Sequence, residues 1–595
     1  MKLYMGRKNH LIALLSFWVL TLSVSAQQQE TYTFCTGSSY SYLLDTNATS
    51  TSGYYQRFNT GSTSYTAHFY HDTIYQTANS KDDDGAKEGG EYSKVKKWAW
   101  TGNNTVSLVW NYTFAGHHDI CPMPNGNVLV ICNESKVPSS VGGSSGTTVK
   151  SPVIKEIKPT GSTTGTVVWE WHLWDHLCQS TNSGYTATYV TNVSQHPELF
   201  NVNCSTNGGV TSDWFHMNGV DYNPTLDQIV WCSHIKNEVY VIDHSTTTAQ
   251  AATHTGGNAG RGGDFLYRWG SPENYGCTTD GNGVSLNVIH DARWVPATNS
   301  VWPNYISVYH NGGCSSGHGC ILHLPPYSTT SPYNYTYTAG QVVGPTSVVT
   351  PTTKSFTVAN QGGCQALENG NILITNPGSA FYETRNSSTA LQSISVSTTQ
   401  SDRLKKADVF GPWITAKSSS TTVCANSPIT LNCNLQTAPV ISNPTYTYSW
   451  VSVPATSNFS STTAQNPTVT PTVAGTYTYK VTVSMSGTFN STTINTSTTA
   501  TVTVVVQDCT GEDEVNDINN LTVFPNPTSG VVNLGDGFLS GHNYNVAVYN
   551  SFGGLVYQGN NTRSIDLSGF SNGIYYLCVK SDENKIFNKK IILMR

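Results

Sequence analysis

The chain has 595 residues, of which 11% are charged, and its formal net charge is −6 at pH 7. This length exceeds that of one domain, and the negative charge argues against a nucleic-acid partner, which requires a basic face to neutralise phosphates. The 33 Tyr and 51 Gly residues, with abundant Ser and Thr, favour an all-β protein, because β-branched and aromatic side chains fit pleated sheets.

Residues 1–26 form a predicted signal peptide. Lys2, Arg7 and Lys8 precede an apolar run over residues 11–22, and a Val-Ser-Ala pattern typical of a cleavage site follows it. The apolar run is too short to cross a bilayer comfortably, and no later segment approaches its length without polar breaks. We therefore expect an exported protein with no transmembrane segment after signal removal.

A turn-plus-strand phrase recurs along residues 27–412, the largest predicted domain. Pro-Asn-Gly-Asn at 124–127 and Glu-Asn-Gly-Asn at 368–371 each place an Asn-Gly dipeptide before a short apolar run. Asn-Gly predicts a type I′ hairpin turn, which needs positive φ at both central residues, and the apolar run predicts a buried strand. Looser copies occupy 223–231 and 295–302. Such an array of sheets is typical of a β-propeller, here with about six blades.

Histidines stand before three of the four copies: His117 and His118, then His216, then His290. Residues that lead into the innermost strands of a propeller point at its central channel, so these distant positions can converge there. Imidazole can act as an acid, a base or a nucleophile near neutral pH. A histidine at a blade start can also serve only as a hydrogen-bonding group between blades, and that alternative stays open.

Residues 415–507 differ in composition, because Thr and Ser dominate and charge almost disappears. The stretch at 474–483 alternates with period two after a Gly turn, and Tyr-Thr-Tyr-Ser-Trp at 446–450 is typical of a core strand. This region is predicted to be an immunoglobulin-like or polycystic-kidney-disease-type β-sandwich that acts as a spacer. Residues 508–520 are acidic and polar and are predicted to be a linker.

The last predicted domain covers residues 521–595. Val-Phe-Pro-Asn-Pro-Thr-Ser-Gly at 523–530, Gly-Ile-Tyr-Tyr-Leu at 573–577 and Lys-Lys-Ile-Ile-Leu at 589–593 closely resemble, in the same order, the C-terminal sorting domain of type IX secretion cargo. The resemblance implies a small β-sandwich with the type IX secretion machinery as its partner. It also implies passage through the periplasm, ending in secretion or at the cell surface.

Six short phrases of the large region follow the order of one enzyme family. They are His-His-Asp at 117–119, Val-Trp-Glu-Trp at 168–171, Asp-Trp-Phe-His-Met-Asn at 213–218, Cys-Ser-His-Ile-Lys-Asn-Glu-Val at 232–239, Arg-Trp-Gly at 268–270 and Ile-His-Asp at 289–291. Together they resemble the arylsulfate sulfotransferases, β-propeller enzymes that move a sulfuryl group from an aryl sulfate to a phenol without a nucleotide donor. The family works through a sulfated histidine, with further histidines and an arginine around the sulfonate. The resemblance therefore implies aryl sulfates and phenols as small-molecule partners and no cofactor.

Carried over residue by residue, the resemblance names five histidines. His216 and His290 match conserved family histidines and are the expected catalytic residues. His118, His234 and His310 are further candidates for the same site.

Two parts of the family site have no counterpart at the expected positions. The family arginine would lie within 309–314, where this chain has Tyr-His-Asn-Gly-Gly-Cys. The family nucleophile would lie near 360–365, where the sequence is Asn-Gln-Gly-Gly-Cys-Gln and contains no histidine. His310 and His318 are the alternatives from a neighbouring loop.

The sequence therefore leaves several functions open. Family membership favours a secreted sulfuryl-transfer enzyme. The absent nucleophile and arginine, the low charge and the sorting tail favour an inactive cell-surface propeller that binds glycans or other extracellular ligands. A metal-dependent lyase or hydrolase has only the 17 histidines in its favour. We expect no metal, because an all-β chain offers no helix for a His-x-x-x-His pair.

The 14 cysteines fit an oxidising compartment. Pairs that are close in sequence are plausible disulfides, although spacing alone does not give their connectivity. The candidate pairs are Cys121–Cys132, Cys314–Cys320 and Cys424–Cys433.

Overall fold

The structure is a computed structural model that describes residues 31–45, 48–79, 90–204, 212–277, 286–311, 320–323, 325, 327–328, 334–345, 347–350, 361–384, 390–396, 398, 400–455, 458–508, 522–535, 543–582 and 586–595. The predicted signal peptide, most of the predicted linker, His318 and Cys314 lie outside the described residues. Almost all regular structure within these ranges is β-strand, which confirms the all-β prediction.

Residues 31–410 build the first and largest region. Its strands, in chain order, are β1 (Thr31–Thr36), β2 (Ser41–Asp45), β3 (Tyr54–Phe58), β4 (Ala67–Tyr70), β5 (Thr73–Ala78), β6 (Glu91–Gly102), β7 (Thr105–His117), β8 (Ile120–Pro122), β9 (Val128–Lys136), β10 (Val149–Pro159), β11 (Gly165–His172), β12 (Leu177–Gln179), β13 (Thr188–Tyr189), β14 (Phe200–Asn201), β15 (Met217–Asn223), β16 (Gln228–Ser233), β17 (Glu238–Asp243), β18 (Tyr267–Trp269), β19 (Ile289–Trp294), β20 (Ile306–His310), β21 (Cys320–His323), β22 (Gly363–Ala366), β23 (Ile372–Asn376), β24 (Ala380–Thr384), β25 (Ala390–Ser395) and β26 (Ser401–Lys405). The α-helices are α1 (Thr248–Ala251) and α2 (Lys406–Phe410), and the 3-10 turns are Thr51–Gly53, Pro138–Val141, Leu173–His176, Val193–Gln195 and Pro272–Tyr275.

These strands form a β-propeller. The described part of the region contains six antiparallel sheets, with the orders β26-β1-β2-β3, β4-β5-β6-β7, β8-β9-β10-β11, β15-β16-β17-β18, β19-β20-β21 and β22-β23-β24-β25. The first strand of each sheet is the inner one, and inner strands of successive sheets contact one another around a central channel. Because β26 pairs with β1, with Ser401 opposite Cys35, the last strand of the region closes the ring.

The Asn-Gly turns lead into strands as predicted, but their conformation differs from the prediction. Gly126 has a φ of 84° and Gly370 a φ of 81°, whereas Asn125 and Asn369 do not have positive φ. The type I′ prediction is therefore wrong. Instead, the Asn125 side chain accepts a hydrogen bond of 3.0 Å from the amide of Asn127, and this local bond stabilises the turn without a left-handed asparagine.

The two looser copies have different outcomes. The third copy leads into β16, as predicted. The strand predicted for the fourth copy is wrong, since Val301 and Trp302 lie in a turn and β20 begins only at Ile306. The Asn299 side chain accepts the amides of Val301 and Trp302 at 2.9 and 2.8 Å, and this competing local bonding delays the strand.

Residues 413–507 form a two-sheet β-sandwich. Its strands are β27 (Trp413–Ser418), β28 (Thr422–Cys424), β29 (Ile429–Gln436), β30 (Ser442–Val453), β31 (Thr468–Val469), β32 (Gly475–Phe489) and β33 (Thr492–Gln507). The sheets have the orders β27-β29-β31 and β28-β33-β32-β30. Alternate residues of β32 are buried, among them Tyr477, Tyr479 and Val481, as the period-two pattern predicts. The immunoglobulin-like topology and the domain bounds stay predictions.

The sandwich shares a hydrophobic core with the propeller. Phe489 of β32 packs against Trp100 of β6 and Phe410 of α2, with ring centroids 5.1 and 5.7 Å apart. Met485 and Ile494 belong to the same buried cluster. The sandwich is therefore packed onto the propeller, which differs from the expected role of a spacer.

The C-terminal region is a second, smaller sandwich. Its strands are β34 (Val523–Phe524), β35 (Val531–Leu534), β36 (Tyr544–Asn550), β37 (Leu555–Asn560), β38 (Ser564–Asp566), β39 (Gly573–Ser581) and β40 (Ile586–Leu593). They form sheets β34-β35-β38 and β37-β36-β39-β40 around a core that includes Val546 and Leu577. Within the described ranges, no helix combines the length and the apolar character needed to cross a membrane.

All three predicted disulfide pairs are wrong. Cys121, Cys132, Cys320 and Cys433 are free thiols. Sequence proximity misleads here because register decides the distance: Cys121 lies opposite Leu129, three residues before Cys132. Cys424 is disulfide-bonded, and since Cys433 is free its partner is another cysteine.

Candidate active site

Five imidazole rings meet at the end of the channel where the inner strands begin. The ring centroids lie 4.7 Å apart for His118 and His216, 5.2 Å for His216 and His234, and 5.2 Å for His234 and His290. The fifth ring, that of His117, lies 4.6 Å from His118 and 4.9 Å from His216. The structure thus brings together four of the five histidines expected from the sequence.

An unusual backbone holds two of these rings in place. His118 and His216 each have a φ of 51°. His118 stands two residues before the inner strand β8, and His216 stands directly before the inner strand β15. A left-handed conformation is uncommon for a residue with a Cβ and costs about 1–2 kcal/mol. Strain of this kind tends to collect at functional sites. The two turns aim both side chains into the channel.

Asp213, His216 and His118 form a hydrogen-bonded relay. The Nδ1–H of His216 donates to Asp213 Oδ2, and the His216 amide donates to Asp213 Oδ1 at 3.1 Å. In this tautomer the Nε2 of His216 carries a lone pair, and it lies 2.8 Å from the Nε2 of His118. The His118 Nε2–H must therefore be the donor, which leaves a lone pair on His118 Nδ1.

His290 is tied to its neighbours through both ring nitrogens. Its Nδ1–H donates to Asn311 Oδ1 at 2.7 Å, and its Nε2 accepts the amide of Gln361 at 3.1 Å. The sequence-based candidate His310 is also engaged, because its Nε2 accepts the amide of Asn287 at 3.0 Å. Neither bonding pattern leaves the Nε2 of these two residues free to attack a substrate.

Burial keeps the central imidazoles neutral. Desolvation, reinforced by the neighbouring histidines, holds the pKa of His118 well below its usual value of 6.5. Desolvation and His234 lower the pKa of His290 to about 3, against a small opposing effect of Asn311. At neutral pH both rings therefore offer lone pairs instead of positive charge.

His118 and His290 line a narrow cavity of about 40 Å³ at this end of the channel. The carboxylates of Asp119 and Asp291 also line it, together with the polar side chains of Tyr65, Thr66, Asn218, Gln361 and Gln400. Hydroxyl and amide groups of this kind can donate hydrogen bonds to the oxygens of a small anion.

The sequence matches an established family over this region. The family model for arylsulfotransferase (ASST) matches residues 66–409, more than half of the chain and nearly all of the propeller. The chain belongs to the arylsulfotransferase (ASST) family. A second model, the secretion system C-terminal sorting domain, matches residues 522–594. This match confirms the predicted export by the type IX route to the cell surface or the medium.

Comparison with other proteins adds fold-level likeness only. No curated protein matches the chain. The periplasmic gluconolactonase PpgL of Pseudomonas aeruginosa is 12% identical with a TM-score of 0.33, over 63% of this chain and 99% of that one. A putative 6-phosphogluconolactonase from Bacteroides fragilis NCTC 9343 is 9% identical with a TM-score of 0.29, over 64% and 99%. Scores this low support no conclusion about activity.

The structure places an arginine in the channel that sequence reasoning missed. Arg293 lies three residues after His290 in β19, outside the stretch where the ASST-family arginine was expected. Its Nε donates to Asp291 Oδ1 and its Nη1 to Asp402 Oδ1, both at 2.6 Å. Two carboxylates therefore neutralise this guanidinium.

A charged layer separates the two ends of the channel. His68 lies between Asp119, at 3.4 Å, and Asp402, at 3.3 Å, and Arg293 also pairs with Asp402. On the far side of this layer lies a larger cavity of about 540 Å³, lined by His68, Arg293 and Asp402 among others. Asp119 lines both cavities, so the layer forms the floor of the histidine site.

The same ASST-family site has the ligand types for a metal ion. One nitrogen from each of His117, His118 and His216 lies within 4.8 Å of the others. The His117 Nδ1–H donates to Met217 O at 2.8 Å. A second cluster with metal-ligand types, formed by His176, His254 and Asp264, is separate from the five-histidine site.

Proposed function

We propose that this exported ASST-family protein transfers sulfuryl groups from aryl sulfates to phenolic acceptors at the channel histidines. The observation that carries the proposal is the Asp213–His216–His118 relay, which ends at a neutral ring on the small cavity. His118 takes the role of the nucleophile that the sequence lacks near residues 360–365.

The first half-reaction moves the sulfuryl group onto the protein. The His118 Nδ1 lone pair attacks sulfur, the N–S bond forms, and the S–O bond to the aryl group breaks. Because attack makes the ring cationic, the proton on His118 Nε2 moves to His216 Nε2, 2.8 Å away. The Asp213 carboxylate stabilises the resulting imidazolium. The aryloxide leaves and takes a proton from solvent.

The second half-reaction reverses these steps with a different phenol. The acceptor oxygen attacks sulfur, the N–S bond breaks, and His216 returns the proton to His118 Nε2. The proton of the acceptor hydroxyl passes to solvent, so the protein regains its starting state. Amide and hydroxyl donors of the cavity, among them Gln400 and Tyr65, stabilise charge on the sulfonate oxygens. His290 and its partner Gln361 position this wall of the cavity.

One observation favours a second function, that of a ligand-binding propeller without catalysis. Arg293 is neutralised by Asp291 and Asp402, so the cationic group that family members place around the sulfonate is not supplied by this residue. A propeller that kept the scaffold but lost turnover would bind an extracellular ligand such as a glycan at the channel.

Transfer from 4-nitrophenyl sulfate to phenol by the full exported chain tests the proposal. We expect nitrophenol release that depends on phenol, and we expect His118→Gln and His216→Gln each to reduce it at least 100-fold, in the range typical of lost nucleophilic and acid–base catalysis. Acid-labile sulfate bound to protein after mixing with donor alone is expected in the parent chain and absent in His118→Gln.

His172→Gln is the matched control. His172 is a half-buried histidine that pairs with Glu134 at 3.2 Å on an outer strand, so its loss removes an imidazole–carboxylate contact away from the channel. Its transfer rate should equal that of the parent chain. Full activity in folded His118→Gln would refute the nucleophile assignment, and no turnover in the parent chain would leave the binding function.

A further inference from the structure

A second histidine cluster lies outside the five-histidine site. It contains His176 in the 3-10 turn Leu173–His176, His254 in the loop after α1, and Asp264 just before β18. One ligand atom from each lies within 4.8 Å of the other two. The three residues come from three separate chain segments, so an ion bound here would fasten those segments together.

The hydrogen bonds of His176 determine which of its atoms can be a ligand. Its Nε2 lies 2.8 Å from the carbonyl oxygen of Ala251, which only accepts, so this nitrogen carries a hydrogen. In the neutral ring Nδ1 is then a lone pair, and it faces Asp264 Oδ1 at 2.8 Å. Two acceptor atoms at this distance need a hydrogen or a cation between them, and a metal ion bound to both atoms meets this need.

The surroundings hold this ring in the orientation that metal sites use. Histidine ligands of metals usually donate their other N–H to a carbonyl or carboxylate, as His176 does to Ala251. The ring stacks on Trp171, with an interplanar angle of 2°, and its side chain is completely buried. A Cβ at Gly263 would lie 2.5 Å from His176 Nε2, so only glycine allows this close packing.

His254 completes the set and gives access from solvent. Its Nδ1 lies 2.7 Å from the same Asp264 oxygen, and its side chain is 47% exposed. The carboxylates of Glu198 and Asp175 add negative charge around it. An ion can therefore reach the cluster from outside, bind two nitrogens and one carboxylate, and keep a position for water.

We propose that His176, His254 and Asp264 bind a divalent transition-metal ion, with Zn²⁺ the best match, at a site independent of the channel. Two imidazoles and a carboxylate are a common Zn²⁺ ligand set, with bonds of about 2.0–2.2 Å. The ion bridges the facing atoms of His176 and Asp264, and it clamps the loop after α1 onto the turn Leu173–His176 that follows β11. This proposal departs from the expectation of no metal and does not depend on sulfuryl transfer.

Zn²⁺ binding by the full chain tests the proposal. Protein freed of metal with a chelator is titrated with Zn²⁺ by calorimetry, and its melting temperature is followed with and without the ion. His254→Ala is the test variant, because an exposed side chain can be removed without disturbing the core. We expect this variant to bind one equivalent fewer than the parent chain and to lose the thermal stabilisation that bound Zn²⁺ gives.

His196→Ala is the matched control. His196 is 40% exposed and also bonded to a carboxylate, that of Glu198 at 2.9 Å, but it is not part of the cluster. It should bind as many equivalents as the parent chain. Equal stoichiometry and equal thermal shifts in all three proteins, or no Zn²⁺ binding at all, would overturn the proposal and leave the cluster as a set of hydrogen bonds between the three side chains.

Discussion

At the scale of single residues, the His-Asp phrases combine two different functions. His118 and His290 line the cavity, and the aspartates that follow them line it as well but also join neighbouring sheets. Asp119 Oδ2 accepts the amide of Val220 at 3.1 Å, and Asp291 Oδ2 accepts the amide of Cys364 at 2.9 Å. The aspartate therefore holds the next inner strand at the distance that the histidine site requires.

Sequence patterns predict the histidines of this site better than their partners. His118, His216 and His290 could be predicted because each stands at the start of an inner strand. Their surroundings could not: Arg293 pairs with Asp402, which is 109 residues away and reaches it only when β26 closes the ring. Asp213 lies in the phrase Asp-Trp-Phe-His-Met-Asn at 213–218. Its hydrogen bond to His216 could not be predicted, because a spacing of three residues brings side chains together in a helix but not in a loop.

Gly90 provides a test of the packing around the relay. It has a φ of 105°, and a Cβ there would lie 2.4 Å from His118 Nε2 and 2.7 Å from His117 Nε2. We expect Gly90→Ala to displace both rings and reduce sulfuryl transfer at least tenfold. The measurement is the steady-state rate with 4-nitrophenyl sulfate and phenol, with circular dichroism as a check on folding.

Gly126→Ala is the corresponding control. Gly126 also has a positive φ, of 84°, but a Cβ there meets nothing within 4 Å. The variant should lose about 1–2 kcal/mol of stability, because alanine is disfavoured in the left-handed conformation, and it should keep its transfer rate. Equal rates in the two variants would mean that the rings tolerate displacement, which contradicts the relay as described.

At the scale of elements, the closure of the ring depends on charge as well as on strand pairing. Asp402 lies on the closing strand β26, and it pairs with His68 of β4 and Arg293 of β19. Burial lowers the pKa of His68, but hydrogen bonds to Asp119 and Asp402 outweigh it and raise the pKa to about 10. The protonated His68 imidazole therefore joins β4 to β26 and to the residue before β8, and Asp402 extends this connection to Arg293 of β19.

The raised pKa of His68 predicts how stability depends on pH. The unfolded chain releases this proton near pH 6.5, whereas the folded protein holds it to about pH 10. The stabilising contribution is complete below pH 6.5 and is lost as the pH rises toward 10. We expect the free energy of unfolding of the parent chain to fall by roughly 3 kcal/mol more than that of His68→Gln between pH 6.5 and 9. Denaturant titrations of both proteins measure this, and parallel pH profiles would contradict a charged His68.

At the scale of the whole molecule, the propeller and the first sandwich act as one packed body. The aromatic cluster between them includes Trp100, Phe410 and Phe489, all nearly inaccessible to solvent. His71 also stacks on Trp413 at the start of the sandwich, with centroids 4.3 Å apart. Composition could show where the Thr-rich region begins, but not this contact, because the participating aromatic residues are far apart in sequence.

This shared core predicts that a change in the sandwich destabilises the propeller. Phe489→Ala removes a ring that contacts both Trp100 and Phe410, and truncation of a buried Phe typically costs about 3–5 kcal/mol. We expect the thermal transition of the propeller, followed by loss of the channel activity and by calorimetry, to move to lower temperature. Phe552→Ala is the control, since that ring is 95% exposed in the sorting domain and should leave the transition unchanged. If Phe489→Ala lowered only a separate sandwich transition, the sandwich would be a spacer after all, and the aromatic contact would contribute nothing to the stability of the propeller.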